Sequence, residues 1–549
     1  MSGIRFLPAG DSALLAELPD LAQTLALFEA QEREPMPGVD EVIPAARTLL
    51  VLFDPSAATA AGVAAWLKRL RRSAASAGRT AARSPCIEIP VRYDGQDLEE
   101  VAALSGLSVA EVVERHTGSD YLGAFAGFAP GFIYLAGASP GFDVPRRASP
   151  RTRVPSGSVA LAGDFSAVYP TDSPGGWQLI GVTPCRMWDM QRAEPALVQP
   201  GFRVRFRDMA RPGTIVSLPP EPPAASCAPD FPAATEGAAQ LHLLATGLQT
   251  LVQDLGRPGK TALGVSASGA VDRQALREAN RAVGNPSDAP VLEDLLGQLR
   301  LRCEGAMVVA VTGADVPLHV CTAAGRHLEA AVGEPLALED GDVLELGAPR
   351  AGLRSYLAVR GGLSVTPVLG SCATDTLARL GPRPLRAGDV LAVGAAIAPQ
   401  RLQAVQPGAA ALRALPRAGE VVALDVVLGP RTDWFTPETL ALLQAQEWQV
   451  TPQSSRVGMR LEGAQALARR VHAELPSEGT VVGAIQVPAS GQPVLFLADH
   501  PLTGGYPVIA VLASHHLDLA AQIPPGARLR LRAVQPFAAV LAESNALAA

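Results

Sequence analysis

Glycine and proline set the terms on which this chain can fold. Of its 549 residues, 52 are Gly and 48 are Pro, and both recur along the whole length. Proline removes a backbone donor, and glycine weakens the interior of any long helix. Elements must therefore be short and turns frequent, which favours many short strands. Hydrophobic residues make up 48% and charged residues 18%. That is enough apolar side chain for several cores, and the length suits about three to five domains.

Charge and cysteine content narrow the partners. Net charge is −7 and no dense basic stripe occurs, so nucleic acid is not an expected partner. The cysteines (Cys86, Cys185, Cys227, Cys303, Cys321, Cys372) are scattered without a CxxC pair, as in a reduced, cytoplasmic protein. The first eleven residues lack a basic region followed by an apolar run, so no signal peptide is expected. No run of about 18 uninterrupted apolar residues occurs, so no membrane span is expected either.

The pattern divides the chain. Residues 1–82 read as a small α+β unit. Ile4–Leu7 and Ala13–Leu18 are strand-like, and Leu21–Glu34 has helical periodicity behind the N-cap candidate Asp20. Val39–Phe53 is strand-like, and Asp54-Pro55-Ser56 opens an Ala-rich helix ending near Arg72. Residues 83–218 hold two short helices, near Asp97–Leu104 and Ser108–Thr117, followed by turns and strands. A Pro/Ala-rich linker occupies 219–239. Two further strand-rich units, 240–400 and 401–549, are interrupted by helices at Asp272–Val283 and Pro437–Gln446. The fold class is α+β, mainly β.

An internal echo ties the halves together. Pro155-Ser156-Gly157-Ser158-Val159 precedes Ser173-Pro174-Gly175-Gly176-Trp177. Pro476-Ser477-Glu478-Gly479-Thr480 precedes Leu502-Thr503-Gly504-Gly505-Tyr506. The spacings differ by a few residues, which fits divergent duplication, although Gly-Gly turns are common in all-β folds.

Several stretches carry chemistry. In Gly127-Phe128-Ala129-Pro130-Gly131-Phe132 glycines allow close approach of a ligand, or of another strand at a barrel corner. Gly259-Lys260-Thr261 resembles the end of a phosphate loop, but Asp254 stands where that motif needs glycine, and Pro258 removes an amide donor. Asp272 suits a helix cap, while Ser268 and Asn280 fit either a pocket or a turn. The densest stretch is Arg456-Val457-Gly458-Met459-Arg460, Glu478, Gln486 and Asp499-His500-Pro501-Leu502-Thr503-Gly504-Gly505-Tyr506. Arginine forks suit carboxylate or phosphate oxygens, and an imidazole beside a carboxylate suits proton transfer. Asp499 and His500 are adjacent, so on a strand they point apart. No HExxH or HxH pair occurs, and His515 and His516 point in different directions on any regular element, so no metal site is expected.

On these motifs the first half resembles the KipI-type proteins, the B-type subunits of 5-oxoprolinase. The carriers include Gly127 to Phe132, Pro145-Arg146-Arg147, Val154 to Val159 and Tyr169 to Trp177. The second half resembles the KipA-type proteins, the C-type subunits of 5-oxoprolinase. Here the carriers include Gln253 to Gly259, Ser268 to Asp272, Glu293, Arg360-Gly361-Gly362, Arg456 to Gly463, Gly483 to Pro488 and Asp499 to Pro507. Cys372-Ala373-Thr374-Asp375 departs from the usual pattern. The paired modules also look like the carboxyltransferase domain of urea carboxylase.

The resemblance implies a ferredoxin-like N-terminal domain, then cyclophilin-like β-barrels, one in the first half and two in the second. It implies an ATP-linked component that opens the lactam of 5-oxoproline to glutamate with a separate LamB/YcsF-type protein, the A-type subunit of such systems. The alternatives are transfer of a carboxyl group from carboxybiotin, carried by another protein, to urea or a related amide, and a regulatory binding role. The only lysines are Lys68 and Lys260, and neither has the surroundings of a Ser-Ser-Lys amidase, so allophanate hydrolysis is not expected.

The expected site follows. Asp499, His500, Arg456, Arg460 and Glu478 are the catalytic candidates. Gln486, Thr503, Gly504, Gly505, Tyr506, Pro130, Gly131, Ser156, Gly175, Gly176, Gln253, Asp254, Arg257 and Ser268 are the substrate-contact candidates. The second Gly-Gly loop, near Asp499 and the arginines, is where chemistry is expected first, in a cleft that the first half helps to close.

Overall fold

In the computed structural model the described residues are 3–74, 84–137, 142–147, 149–211, 230–233, 237–406 and 413–541. Most of the 219–239 linker lies outside them. The N-terminal strands Arg5–Pro8, Ala13–Glu17, Val39–Pro44 and Thr48–Phe53 form an antiparallel sheet in the spatial order first, second, fourth, third. The strand-like stretch from Val39 to Phe53 is thus a hairpin, turned where Ala45 N donates to Thr48 O at 2.9 Å. Asp20 caps the helix Leu21–Arg33, accepting from Gln23 N at 2.8 Å. The second helix, Ala60–Ala74, starts later than the sequence suggests. Asp54 instead accepts from Ser56 N at 2.8 Å in a local turn, and Thr59 Oγ1 accepts from Gly62 N at 3.0 Å.

The ferredoxin-like unit runs strand-helix-strand-strand-helix-strand, whereas here the order is strand-strand-helix-strand-strand-helix. Both faces of this sheet are covered. Leu14, Ala16, Leu49 and Val51 meet the helices. Leu7, Leu15, Ile43 and Leu50 meet Ala484, Phe496, Leu502 and Val508 of the far end of the chain. Covering on both sides explains why Thr48–Phe53 reads as an unbroken apolar run instead of an alternating one.

Two barrels share one topology. The first runs, in spatial order, Gln178–Val182, Ser158–Ala162, Phe165–Val168, Ile133–Gly137, Tyr121–Ala126, Arg203–Asp208 and Cys86–Val91. The Arg92–Val182 bridge joins its two ends. The last barrel runs Val508–Leu512, Ala484–Gln486, Val494–Phe496, Gly458–Glu462, Trp448–Val450, Arg528–Ala533 and Val421–Leu428, and closes on itself. In each barrel the first and last strands in sequence pair in parallel. Each also carries a two-stranded flap. In the first, Ser173–Gly175 pairs with Arg151–Val154; in the last, Thr503–Gly504 pairs with Glu478–Gly479. The internal echo in the sequence falls on these flaps.

Between the barrels in sequence, residues 240–392 form a six-stranded and a five-stranded sheet around one core that includes Leu241, Leu301, Val309 and Leu357. The helix Arg273–Ala282, capped by Asp272, covers the five-stranded sheet through Ala275, Leu276 and Ala279. From the linker, Phe231 reaches this unit, with the Arg383 guanidinium 5.3 Å from its ring.

Candidate functional site

The two loops singled out in the halves touch. Phe128 N, at a left-handed φ of 65°, donates to Thr503 Oγ1 at 3.1 Å. A Cβ on Gly127 would collide with that hydroxyl. Gly131 N donates to Leu263 O at 2.9 Å, which fixes the other end of the loop to the middle unit. Pro130 and Gly131 are therefore buried in a joint between units, with Gly131 against Trp188 and bonded to Leu263.

A cavity of about 760 Å³ opens where the units meet. All three regions build it: Asp20, Ala46 and Arg47 from the N-terminal sheet, Tyr134, Phe165 and Trp177 from the first barrel, and Glu474 and Ser477 from the last. Arg146 projects from its wall, pairs with Glu474 at 2.8 Å and donates to Ser477 Oγ at 3.3 Å. Tyr134 OH lies 3.0 Å from the same Ser477 Oγ. Tyr134 packs edge-on to Trp177 at 5.4 Å and to Phe165 at 5.6 Å. Gly505 backs onto Arg146: an added Cβ would stand 2.8 Å from Nη1. The wall thus offers charged groups of both signs, among them the Arg146–Glu474 pair, Arg47, Asp143 and Asp164, with two hydroxyls and an aromatic floor. Arg146, Tyr134 and Ser477 were not among the expected site residues. Arg146 and Ser477 lie 331 residues apart, and no spacing rule connects them.

Arg456 and Asp499 come together, but away from solvent. Their side chains are 2% and 0% exposed. Arg456 Nε donates to Asp499 Oδ2 at 3.0 Å and Nη2 to Oδ1 at 2.9 Å, while Nη1 reaches Glu293 and Nη2 also donates to Gly269 O at 2.6 Å. Ser268 Oγ, at 2.6 Å, and Thr376 Oγ1, at 2.7 Å, complete the shell around Asp499. Glu293 accepts in addition from Tyr356 OH at 2.8 Å. Burial pushes the Asp499 carboxyl up, but Arg456 overcomes it and holds the group below its ordinary range. The pair expected to face a substrate is instead a dry bond between the middle unit and the last barrel, satisfied by protein.

The remaining candidates scatter. Arg460 is exposed on the opposite side of its strand from Met459. Glu478 is buried and gripped by Arg431, which also holds Glu17 of the N-terminal sheet at 2.9 Å. His500 does not pair with Asp499: its Nδ1 donates to Pro501 O at 2.9 Å, which leaves Nε2 as the unprotonated nitrogen. Burial lowers its pKa to about 4, so the ring is neutral near pH 7. Gln486 Nε2 donates to Tyr506 O at 3.1 Å and shapes the second flap. Tyr506 is 43% exposed under the Arg469 guanidinium. Ser156 is exposed, its amide held by Asp172 at 2.9 Å. Gly175 lies against the buried Tyr169 hydroxyl, and Gly176 O accepts from Arg147 N at 2.8 Å. Asp254 ties the middle unit's loops, accepting from Ser371 Oγ at 2.6 Å and Cys372 N at 2.7 Å.

Two readings of the sequence are settled by local geometry. Gly259 N donates to Glu41 Oε1 at 3.1 Å, so a carboxylate already occupies the loop that resembled a phosphate cradle, and the loop does not fit ATP. His515 and His516 do not diverge. A 3₁₀ turn at Ser514–His516 brings their ring centres within 4.2 Å, beside Asp425. That cluster is the one metal-type group among the described residues, but Asp425 N already donates to His516 Nδ1 at 2.9 Å and Arg532 pairs with the carboxylate at 2.7 Å. Among the described residues no helix is long and apolar enough to cross a membrane.

Comparison with known proteins follows the same division into halves. The family described as carboxyltransferase domain, subdomain C and D, matches residues 4–198, and carboxyltransferase domain, subdomain A and B, matches residues 263–533. The chain is 38% identical over 289 residues to the 5-oxoprolinase C-type subunit of Escherichia coli (strain K12), covering 52% of this chain and 88% of that protein. It is 40% identical over 204 residues to the 5-oxoprolinase B-type subunit of Escherichia coli O157:H7, covering 36% of this chain and 92% of that one. A crystal structure of TTHA0988 superposes with a TM-score of 0.77 at 34% identity, over 96% of this chain and 100% of that one. The chain belongs to the carboxyltransferase-domain family that includes the B-type and C-type subunits of 5-oxoprolinase, and carries the B-like and C-like parts in one polypeptide.

Proposed function

We propose that this protein is the fused B/C component of an ATP-dependent 5-oxoprolinase, opening 5-oxoproline to L-glutamate in the cytoplasm together with a LamB/YcsF-type protein as the A-type subunit. The observation that carries the reading is the cavity at the junction of the three regions. Its Arg146 guanidinium, Tyr134 and Ser477 hydroxyls and Trp177 face suit a small carboxylate on an apolar ring. The cyclophilin-like identity of the two barrels belongs to the same reading.

A lactam is a poor electrophile, so ring opening needs charge stabilised on its oxygen and a proton delivered to its nitrogen. In the assembled system ATP would supply the drive for ring opening. Within this chain Arg146 exchanges Glu474 for the substrate carboxylate, and the aromatic wall excludes water from the ring. The joint between Phe128 and Thr503 keeps the two halves in register. Arg456 and Asp499 keep the last barrel seated behind it. Mixing the full chain with the LamB/YcsF-type protein, ATP and 5-oxoproline tests this: glutamate forms, and Arg146→Ala lowers its rate by about 10²-fold or more. Normal turnover by a folded Arg146→Ala variant would remove the cavity from the mechanism.

The match of both halves to carboxyltransferase subdomains favours a second reading, transfer from carboxybiotin to urea or a related amide. Carboxylated urea in the absence of any glutamate formation would install it. Neither reading predicts ammonia release from allophanate by this chain alone.

A further inference from the structure

The internal echo contains a serine in each copy, and the two serines have different surroundings. Ser156 is exposed, and its hydroxyl donates to Pro170 O at 2.9 Å. Ser477 is buried at the cavity, where Tyr134 OH lies 3.0 Å from its Oγ and Arg146 Nη2 donates to that oxygen at 3.3 Å. Tyr134 and Ser477 both line the cavity, and they come from different halves of the chain, 343 residues apart.

Hydrogen counting defines what this row can offer. A guanidinium has only donors, so Ser477 Oγ is the acceptor toward Arg146. Ser477 and Tyr134 carry one hydroxyl hydrogen each, and their mutual bond uses one of the two. Among the described residues neither hydroxyl has a further hydrogen-bond partner. Whichever hydroxyl donates to the other, one hydrogen is left over, and it is available to what enters the cavity. An acceptor oxygen placed there completes the row. An apolar group placed there leaves a desolvated donor unmade, which is unfavourable.

Both members of the pair are held still. The Tyr134 ring is stacked on Phe125 at 4.3 Å and met edge-on by Phe132 at 5.2 Å and Trp177 at 5.4 Å. Ser477 O accepts from Ala46 N at 3.3 Å, and the next residue is Glu478, gripped by Arg431. A donor fixed before a ligand arrives loses little freedom when it binds.

We propose that Tyr134 and Ser477 act as one receptor for a carbonyl oxygen on the ring whose carboxylate Arg146 takes. Each half of the chain supplies one of the two hydroxyls, so the receptor is complete only where the halves meet. This inference rests on the 5-oxoproline reading of the cavity and assigns the lactam oxygen to these two side chains. It carries a built-in redundancy. Loss of either hydroxyl leaves the other with its hydrogen, and loss of both leaves none.

The test uses the full chain and two ring carboxylates that differ only by a carbonyl, 3-oxocyclopentanecarboxylate and cyclopentanecarboxylate, titrated by ligand-observed NMR. The ketone sits where the lactam carbonyl sits in 5-oxoproline, and displacement of Glu474 from Arg146 is common to both probes. The unaltered chain should bind the ketone about tenfold more tightly. Tyr134→Phe and Ser477→Ala should each lower that preference by about threefold or less, while the double variant should abolish it. Full preference in a double variant shown to be folded by its melting curve would overturn the inference and leave the cavity reading standing. Should the double variant unfold, equal binding of the two rings by the unaltered chain would still overturn it. Binding of neither ring by the unaltered chain would remove the cavity reading and the inference together.

Discussion

The first and last barrels have the same strand order, the same parallel closure and the same two-stranded flap, yet their flaps live in different surroundings. In the first barrel the flap faces solvent, and its ion pair, Arg153 with Asp172 at 2.6 Å, has side chains 76% and 37% exposed. In the last barrel the flap is roofed by the N-terminal sheet and by the Gly127–Phe132 loop, with the buried Arg431–Glu478 pair beneath it. A duplicated element therefore gains a new role when other units close over it. The second Gly-Gly loop is a joint against the Gly127–Phe132 loop, whereas the first is a more exposed flap that leads into Trp177 of the cavity wall.

The comparison can be broken at its charges first. Removing one partner of a buried ion pair leaves an uncompensated charge, so Arg456→Ala should cost about 3–5 kcal/mol in urea unfolding, whereas Arg153→Ala on the exposed flap should cost less than about 1 kcal/mol. Similar costs at both sites would mean that the inter-unit bond is not dry.

Each barrel also buries one neutral histidine. Burial lowers the pKa of His116 to about 3 and that of His500 to about 4. His116 lies between Ser166 Oγ at 2.9 Å and Tyr93 OH at 2.7 Å. Both folded-state values lie below the unfolded value of about 6.5, so the stability these groups permit is complete above that pH. It falls as pH drops from about 6.5 towards 4, because the unfolded chain takes up the proton first. Relative to His116→Gln, the unaltered chain should therefore lose about 3 kcal/mol across that window. Parallel pH profiles for the two proteins would contradict the burial argument.

Glycine substitutions sharpen the contrast between the loops. Gly127→Ala forces a methyl against Thr503 and should destabilise by about 1–3 kcal/mol. Gly176→Ala meets nothing closer than 3.7 Å and should change stability by less than about 0.5 kcal/mol. The smallest effect is expected at Arg460, exposed on the outer side of the last barrel, where Arg460→Ala should stay within about 0.5 kcal/mol.

Much of this molecule was legible in one dimension. Helix ends were readable because caps are local: Asp20 and Asp272 each accept from an amide three residues on. The echo between Ser173–Trp177 and Thr503–Tyr506 marked the repeated barrel, because in each half it falls on the two-stranded flap, where Gly175 and Gly504 admit the close approach of Tyr169 and Gln486. The dense Arg456 and Asp499 stretch did mark a charged cluster. Its character was decided only by tertiary structure. Whether a guanidinium faces substrate or is shared between Asp499 and Glu293 depends on where a strand 163 residues away comes to rest. Arg146, Tyr134 and Ser477 converge for the same kind of reason. A cavity is made where separately folded surfaces meet, and no periodicity within one segment records which distant segment will cover it.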